Sequence, residues 1–172
     1  MKICIVSDSH DNGLSLLRCL NAAKALGASA AIHCGDIIGA NTLRVALGAG
    51  LPLHAIHGNN LGDPTALYQL AARSDGLLTY HGQDANLCLH ERKIFVVHYP
   101  NYGRAMALTG DFDLVCCGHS HEAMVAHERN INGGTTWLVN PGTTAGLGAP
   151  EATWILGDLA TMQFAIRQVP DT

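Results

Sequence analysis

The chain has 172 residues, 48% of them hydrophobic and 14% charged. That balance excludes a disordered or fibrous protein and suits one globular domain spanning 1–172, long enough to bury a core. The formal net charge of -4 offers no basic face, so no long nucleic acid is expected as a partner.

Residues 2–7 (KICIVS) form a short apolar run suited to a buried strand. Asp11 or Asn12 can cap a helix behind it, with Leu14, Leu16, Leu17, Leu20, Ala23 and Leu26 at helical spacing and Gly27 as the stop. Residues 30–34 (AAIHC) make a second strand ending in Gly-Asp. A short helix near 41–48 leads to a third strand, 52–59 (PLHAIHGN), with a glycine turn. Asp63 followed by Pro64 opens a helix over 63–73, with proline at its first position.

From there the pattern changes. LLTYHG (77–82), NLCLH (86–90) and KIFVVHYP (93–100) read as successive strands, followed by a small helix around 101–108 and a buried strand DLVCCGH (113–119). AMVAHERN (123–130), TTWLVNPG (135–142), ATWILG (152–157) and QFAIRQV (163–169) follow as strands, with Asn132-Gly133-Gly134 as a hairpin turn. Strand–helix alternation followed by a strand-rich part predicts an α/β fold of two packed sheets with helices outside.

Six cysteines, at 4, 19, 34, 88, 116 and 117, sit mostly in apolar runs and show no C-x-x-C spacing. Reduced structural thiols are the expectation at every position, with Cys116 and Cys117 on opposite faces of one strand. The first apolar stretch is too short for a signal peptide, and none approaches the roughly 20 apolar residues of a membrane span. A cytoplasmic protein without a membrane partner is expected. The oligomeric state stays open, a homo-oligomer included.

Every strongly polar cluster falls at the carboxyl end of a predicted strand: Asp8-Ser9-His10, Gly35-Asp36, Gly58-Asn59-Asn60, His98 and Gly118-His119-Ser120-His121. In open α/β sheets ligands bind at that edge. Singly, each cluster reads as a polar strand end or a turn. Together they offer the side chains of Asp8, His10, Asp36, Asn59, His98, His119 and His121, an oxygen and nitrogen donor set without thiolate. That set suits Mn, Fe, Zn or Mg and disfavours a structural zinc. It exceeds the needs of one tetrahedral ion and suits two, with one carboxylate shared. The i, i+2 spacing of Asp8/His10 and of His119/His121 would put each pair on one side of an extended segment.

The order Asp-x-His, Gly-Asp, Gly-Asn, His, Gly-His-x-His resembles the calcineurin-like metallophosphoesterase superfamily, in particular its small cap-free bacterial and archaeal phosphodiesterases. The likeness spans roughly residues 1–145 and includes the Asn-Pro-Gly turn in NPGT (140–143). It implies a four-layer α/β/β/α sandwich of two mixed sheets flanked by helices. It implies that Asp8, His10 and His121 hold one divalent ion, that Asn59, His98 and His119 hold a second, and that Asp36 bridges. Manganese comes first as the metal, with Fe, Zn, Ni or Mg as alternatives. The implied reaction is hydrolysis of a small phosphoester, most readily a phosphodiester, by a hydroxide bridging the two ions. Two divalent ions outweigh two carboxylates and one hydroxide, leaving the site net positive by about one charge for a phosphoester anion. His33, His54, His81, His90 and His127 match no ligand position and read as structural.

Two positions depart from the resemblance. Relatives usually follow Gly-Asn with His (Cys in some small members) and then an acidic residue, where this chain has Asn60 and Leu61; Asn60 therefore occupies the catalytic position without an acid's chemistry. Tyr99 follows His98 where glycine is common. Two other readings remain: a non-catalytic scaffold, as in the retromer subunit of this fold, and a phosphomonoesterase.

Overall fold

The computed structural model describes residues 1–171. In chain order the elements are β1 (Lys2–Val6), α1 (Gly13–Ala25), β2 (Ala28–His33), α2 (Ala40–Ala46), β3 (Leu53–Ala55), α3 (Pro64–Ala72), β4 (Leu78–Tyr80), β5 (Asp84–Leu89), β6 (Arg92–Val97), α4 (Pro100–Thr109), β7 (Leu114–Cys116), β8 (Ala123–Arg129), β9 (Thr135–Pro141), β10 (Thr153–Asp158) and β11 (Gln163–Gln168). One sheet runs β11-β10-β1-β2-β3-β4 and the other β5-β6-β7-β9-β8. Both are mixed. β1 to β4 pair in parallel while β10 runs antiparallel to β1; β6, β7 and β9 are parallel while β5 and β8 are antiparallel edges.

The apolar run at the start is buried on both faces because β1 is a central strand. Cys4 and Val6 pack with Leu16, Leu20, Leu43 and Leu67 of α1, α2 and α3, while Ile3 and Ile5 meet Ile94, Val96 and Leu114 of the second sheet. On the outer face of that sheet, Ala107 of α4 packs with Phe95, Val97 and Val115. The layers are therefore α1–α3, sheet, sheet, α4, the four-layer sandwich expected. Cys116 and Cys117 lie in different apolar clusters, as a strand's alternation requires.

The predicted boundaries hold at the caps. The Asn12 side chain accepts from the Ser15 N–H at 3.1 Å, and Asp63 accepts from Thr65 N–H at 2.8 Å with Pro64 behind it. Asn130 to Gly134 close the β8–β9 hairpin, with Asn130 Oδ1 accepting from Gly134 N–H at 3.0 Å.

Four expectations change. β3 stops at Ala55, not at 59, because the chain leaves the sheet to turn at Gly58. β7 stops at Cys116, not at 119, because the chain leaves the sheet ahead of the positive-φ turn at His119. Cys88 is exposed, since β5 is an edge strand that buries only Ala85 and Leu87, so it is not a core thiol. The segments carrying Asp8/His10 and His119/His121 are not extended: all four residues have positive φ, at 52°, 40°, 69° and 60°.

Candidate functional site

The parallel strands β1, β2, β3, β6, β7 and β9 end in loops that meet across the seam between the two sheets. Backbone bonds lock the loops together: Asp8 N–H donates to Gly35 C=O and His10 N–H to Asp36 C=O, each at 3.0 Å, and Gly118 N–H donates to His98 C=O at 2.9 Å. Asp36 joins the four left-handed residues at φ 54°. Non-glycine residues in this region are costly and persist only where surroundings impose them, which is characteristic of functional loops. Five of the predicted metal residues carry this signature, which motif spacing did not reveal.

The side chains converge in two groups. In the first, Nε2 of His121 lies 3.2 Å and Nε2 of His10 3.7 Å from Asp8 Oδ1, with the two Nε2 atoms 3.1 Å apart. In the second, Nε2 of His98 lies 3.3 Å from Asp36 Oδ1 and 3.1 Å from Asn59 Oδ1. Asp36 Oδ2 turns the other way, to 3.8 Å from His10 Nε2. Asp36 thus presents one oxygen to each group. Atoms of Asp8, Asp36 and His98 also lie within 4.8 Å of one another, so the groups share a carboxylate-lined floor. His119 stands on the rim, its ring centroid 5.1 Å from that of His98; it lies outside both convergent groups, and its backbone N–H donates to Asp8 Oδ2 at 3.0 Å.

The hydrogen bonds behind the imidazoles decide what faces the centre. Carbonyl oxygens only accept, so His98 Nδ1–H donates to Cys34 C=O at 2.8 Å and His121 Nδ1–H to Leu147 C=O at 2.5 Å. In the neutral ring, Nε2 of each then carries a lone pair aimed at carboxylate or amide oxygens. Facing lone pairs at these distances suit a shared cation, either a metal ion or a proton on one ring. Metal-bound histidines characteristically donate the second ring nitrogen to a carbonyl in this way. Asp8 Oδ1 is buried with no hydrogen-bond partner, an orphan acceptor at the meeting point of the first group. Burial pushes the Asp8 carboxyl pKa up, so an ionised Asp8 needs positive charge nearby. The residues present therefore fit divalent cations.

Two glycines keep the cradle open. A Cβ on Gly58 would collide with Asp36 Oδ1 and come within 2.6 Å of His98 Nε2. A Cβ on Gly118 would strike Ser7 Oγ and reach 2.7 Å from Asp8 Oδ2.

Asn60 faces the floor. Its backbone N–H donates to Asp36 Oδ1 at 2.8 Å and its Nδ2 to Asp36 Oδ2 at 2.6 Å. Burial alone would raise the Asp36 pKa; these two donors, with His98 and His10 nearby, outweigh it and draw the carboxyl below its usual range. His33 is fully buried beneath the first loop. Gly35 N–H donates to its Nδ1 at 3.2 Å, so Nε2 carries the proton and donates to Ser9 Oγ at 3.0 Å. Burial pushes the His33 pKa down to about 3, keeping the ring neutral and structural as expected.

Other contributors carried no legible role in the sequence. Asn140 Nδ2 donates to Gly118 C=O at 2.8 Å and to Ser120 Oγ at 3.0 Å, holding the loop that carries His119 and His121. Thr143 Oγ1 donates to Asp8 C=O at 2.8 Å and Thr144 Oγ1 to Ser7 C=O at 3.1 Å. The NPGT run is a clamp across two of the site's loops; its position in the motif order was the sequence's only hint of this.

A two-sheet seam lined by carboxylates and imidazoles defines a site of the divalent-metal class. The calcineurin-like phosphoesterase superfamily domain matches residues 1–162, and the chain belongs to that superfamily. It is 23% identical over 150 residues to the phosphodiesterase MJ0936 of Methanocaldococcus jannaschii, covering 85% of this chain and 86% of that protein. Among solved structures, an archaeal phosphodiesterase superposes with a TM-score of 0.87 at 21% identity, over 98% of this chain and 99% of that one. Vps29 of Chaetomium thermophilum superposes at 0.65 with 15% identity, over 98% and 96%. These structural likenesses establish the fold.

Proposed function

We propose that this chain is a two-metal phosphodiesterase acting on small phosphodiesters, with Asp8, His10 and His121 holding one ion, Asn59, His98 and His119 the other, and Asp36 between them. The observation that carries this reading is the pair of acceptor clusters whose histidines have already committed Nδ1–H to backbone carbonyls. Divalent ions held there supply Lewis acidity toward phosphoryl oxygens and a water of lowered pKa. Manganese is the first choice, since oxygen and imidazole donors without thiolate suit it.

The chain's own groups do the rest. Asp36 offers an oxygen to each side, and Asn60 fixes its plane through two donated hydrogen bonds. The net reaction adds water across one ester P–O bond: a new P–O bond forms to the water oxygen, the ester P–O bond breaks, and the leaving oxygen takes a proton or departs as an anion. Asn60 cannot transfer a proton at neutral pH. A positioned general acid typically contributes about 10²–10⁴-fold, so substrates whose leaving group is a stable anion are favoured.

The test is to strip the protein with chelator, reload it with Mn, Fe, Zn, Ni or Mg, and compare bis(p-nitrophenyl) phosphate, p-nitrophenyl phosphate and an alkyl diester. Metal-dependent cleavage of the aryl diester, far ahead of the alkyl diester, is expected, and Asn60→His should narrow that gap. Preference for p-nitrophenyl phosphate turns the reading to a monoesterase. No hydrolysis with any metal leaves the scaffold reading, to which the missing histidine at Asn60 points.

A further inference from the structure

Beside the candidate site stands an aromatic ring that the fold does not use. Tyr102 lies in the first turn of α4, whose buried face is Gly103 and Ala107, and it is 59% exposed. It takes no part in the apolar cluster under that helix. Its ring centroid is 5.6 Å from that of Tyr99, at an interplanar angle of 71°. Tyr99 in turn sits 4.8 Å from the His119 ring and 5.3 Å from the His98 ring. The aromatic series climbs from two candidate ligands to solvent.

A trough follows the same course. A depression of 260 Å³ is lined by His57, Gly58, Gln83, Val97, His98 and Tyr99. A second, of 380 Å³, shares Gln83 and Val97 and continues along Asp84, Phe95, Tyr102, Ala105 and Met106. Asp84 apart, its walls turn from polar to apolar with distance from His98. An anion held between the imidazoles would therefore have its substituent directed along an aromatic and aliphatic channel. Bulk lysines or arginines that would recognise a second phosphate are absent from the lining of both depressions.

We infer that this trough is a subsite for a planar aromatic arm of the phosphoester, a nucleobase or an aryl ring, which stacks on Tyr102 and Tyr99. The inference rests on the phosphodiesterase reading and adds the substrate class. Stacking of a base on an exposed tyrosine is sequence-tolerant, and its loss on alanine substitution is worth about tenfold or more in affinity. Tyr102 acts as a specificity-determining residue, away from the reacting atoms.

The experiment is calorimetric binding of three monoester dianions, AMP, phenyl phosphate and methyl phosphate, to the Mn-loaded protein and to Tyr102→Ala and Tyr102→Phe, with bis(p-nitrophenyl) phosphate hydrolysis measured on the same preparations. AMP or phenyl phosphate should bind at least about tenfold more tightly than methyl phosphate. That advantage should vanish in Tyr102→Ala and survive in Tyr102→Phe. An advantage for AMP alone assigns the arm as a nucleoside, and for phenyl phosphate alone as a simple aryl group. No advantage in the wild type, or one that survives in Tyr102→Ala, overturns the subsite. Aromatic binding with this mutational pattern but no hydrolysis sinks the phosphodiesterase reading and leaves the subsite standing; hydrolysis without the binding advantage does the reverse.

Discussion

Asp36 is the residue on which the two halves of the candidate site depend. Its Oδ1 faces His98 and its Oδ2 faces His10, and Asn60 holds both oxygens in place. Asp36→Asn keeps the shape but replaces one anionic oxygen by an N–H₂ donor, which repels a cation and clashes with the Asn60 donors. Metal affinity should fall by roughly 10–100-fold or more, read as metal content after dialysis, and hydrolysis should fall with it. Full metal content in that variant would remove Asp36 from the bridging role. The candidate donors at this scale can be named from the sequence, because donor chemistry and motif order are written in residue types. The role of Asn60 was not. Its position marked a missing acid, whereas the fold turns its amide back onto Asp36, a contact between residues 24 apart along the chain.

At the scale of elements, the loops after β1 and β7 are held by the end of β9 and the turn that follows it. Asn140 is buried and gives two hydrogen bonds to the Gly118–Ser120 segment while its Oδ1 accepts from Gly142 N–H at 3.0 Å. Asn140→Ala leaves the buried Gly118 carbonyl without this partner, at a cost of about 1–3 kcal/mol. For a chain of this length that is a fall in Tm of about 2–4 °C per kcal/mol. Metal content should drop as well, because His119 and His121 both ride on the freed loop. Loss of stability with unchanged metal content would limit Asn140 to a structural role. Strand and helix identities followed from periodicity and capping, as at Asn12 and Asp63. The left-handed loops did not: the expected extended geometry at Asp8/His10 and His119/His121 failed because tertiary hydrogen bonds, such as His119 N–H to Asp8 Oδ2, fix those φ angles.

For the whole molecule, the layer between the sheets carries the site. Ile3 is fully buried there at the end of β1 remote from Asp8. Ile3→Ala should cost about 2–5 kcal/mol, lowering Tm by roughly 4–20 °C. The rate per folded molecule, and the metal content, should stay at the wild-type level at low temperature; a matching loss of metal would mean that the site and the inter-sheet core unfold together.

What the sequence determined by itself was local or compositional: the two-sided apolar runs that must lie in a sandwich, the caps, and the seven donors placed at strand ends. These depend on neighbours a few residues away, or on residue type alone. Only the tertiary structure decided how those donors are shared. The grouping of His10 and His121 around Asp8, of His98 and Asn59 around Asp36, and the clamp from Asn140 all join residues on different strands. Their distances follow from sheet order and from the seam between the sheets. The same is true of the trough at Tyr102, which exists because α4 lays its first turn beside the end of β6.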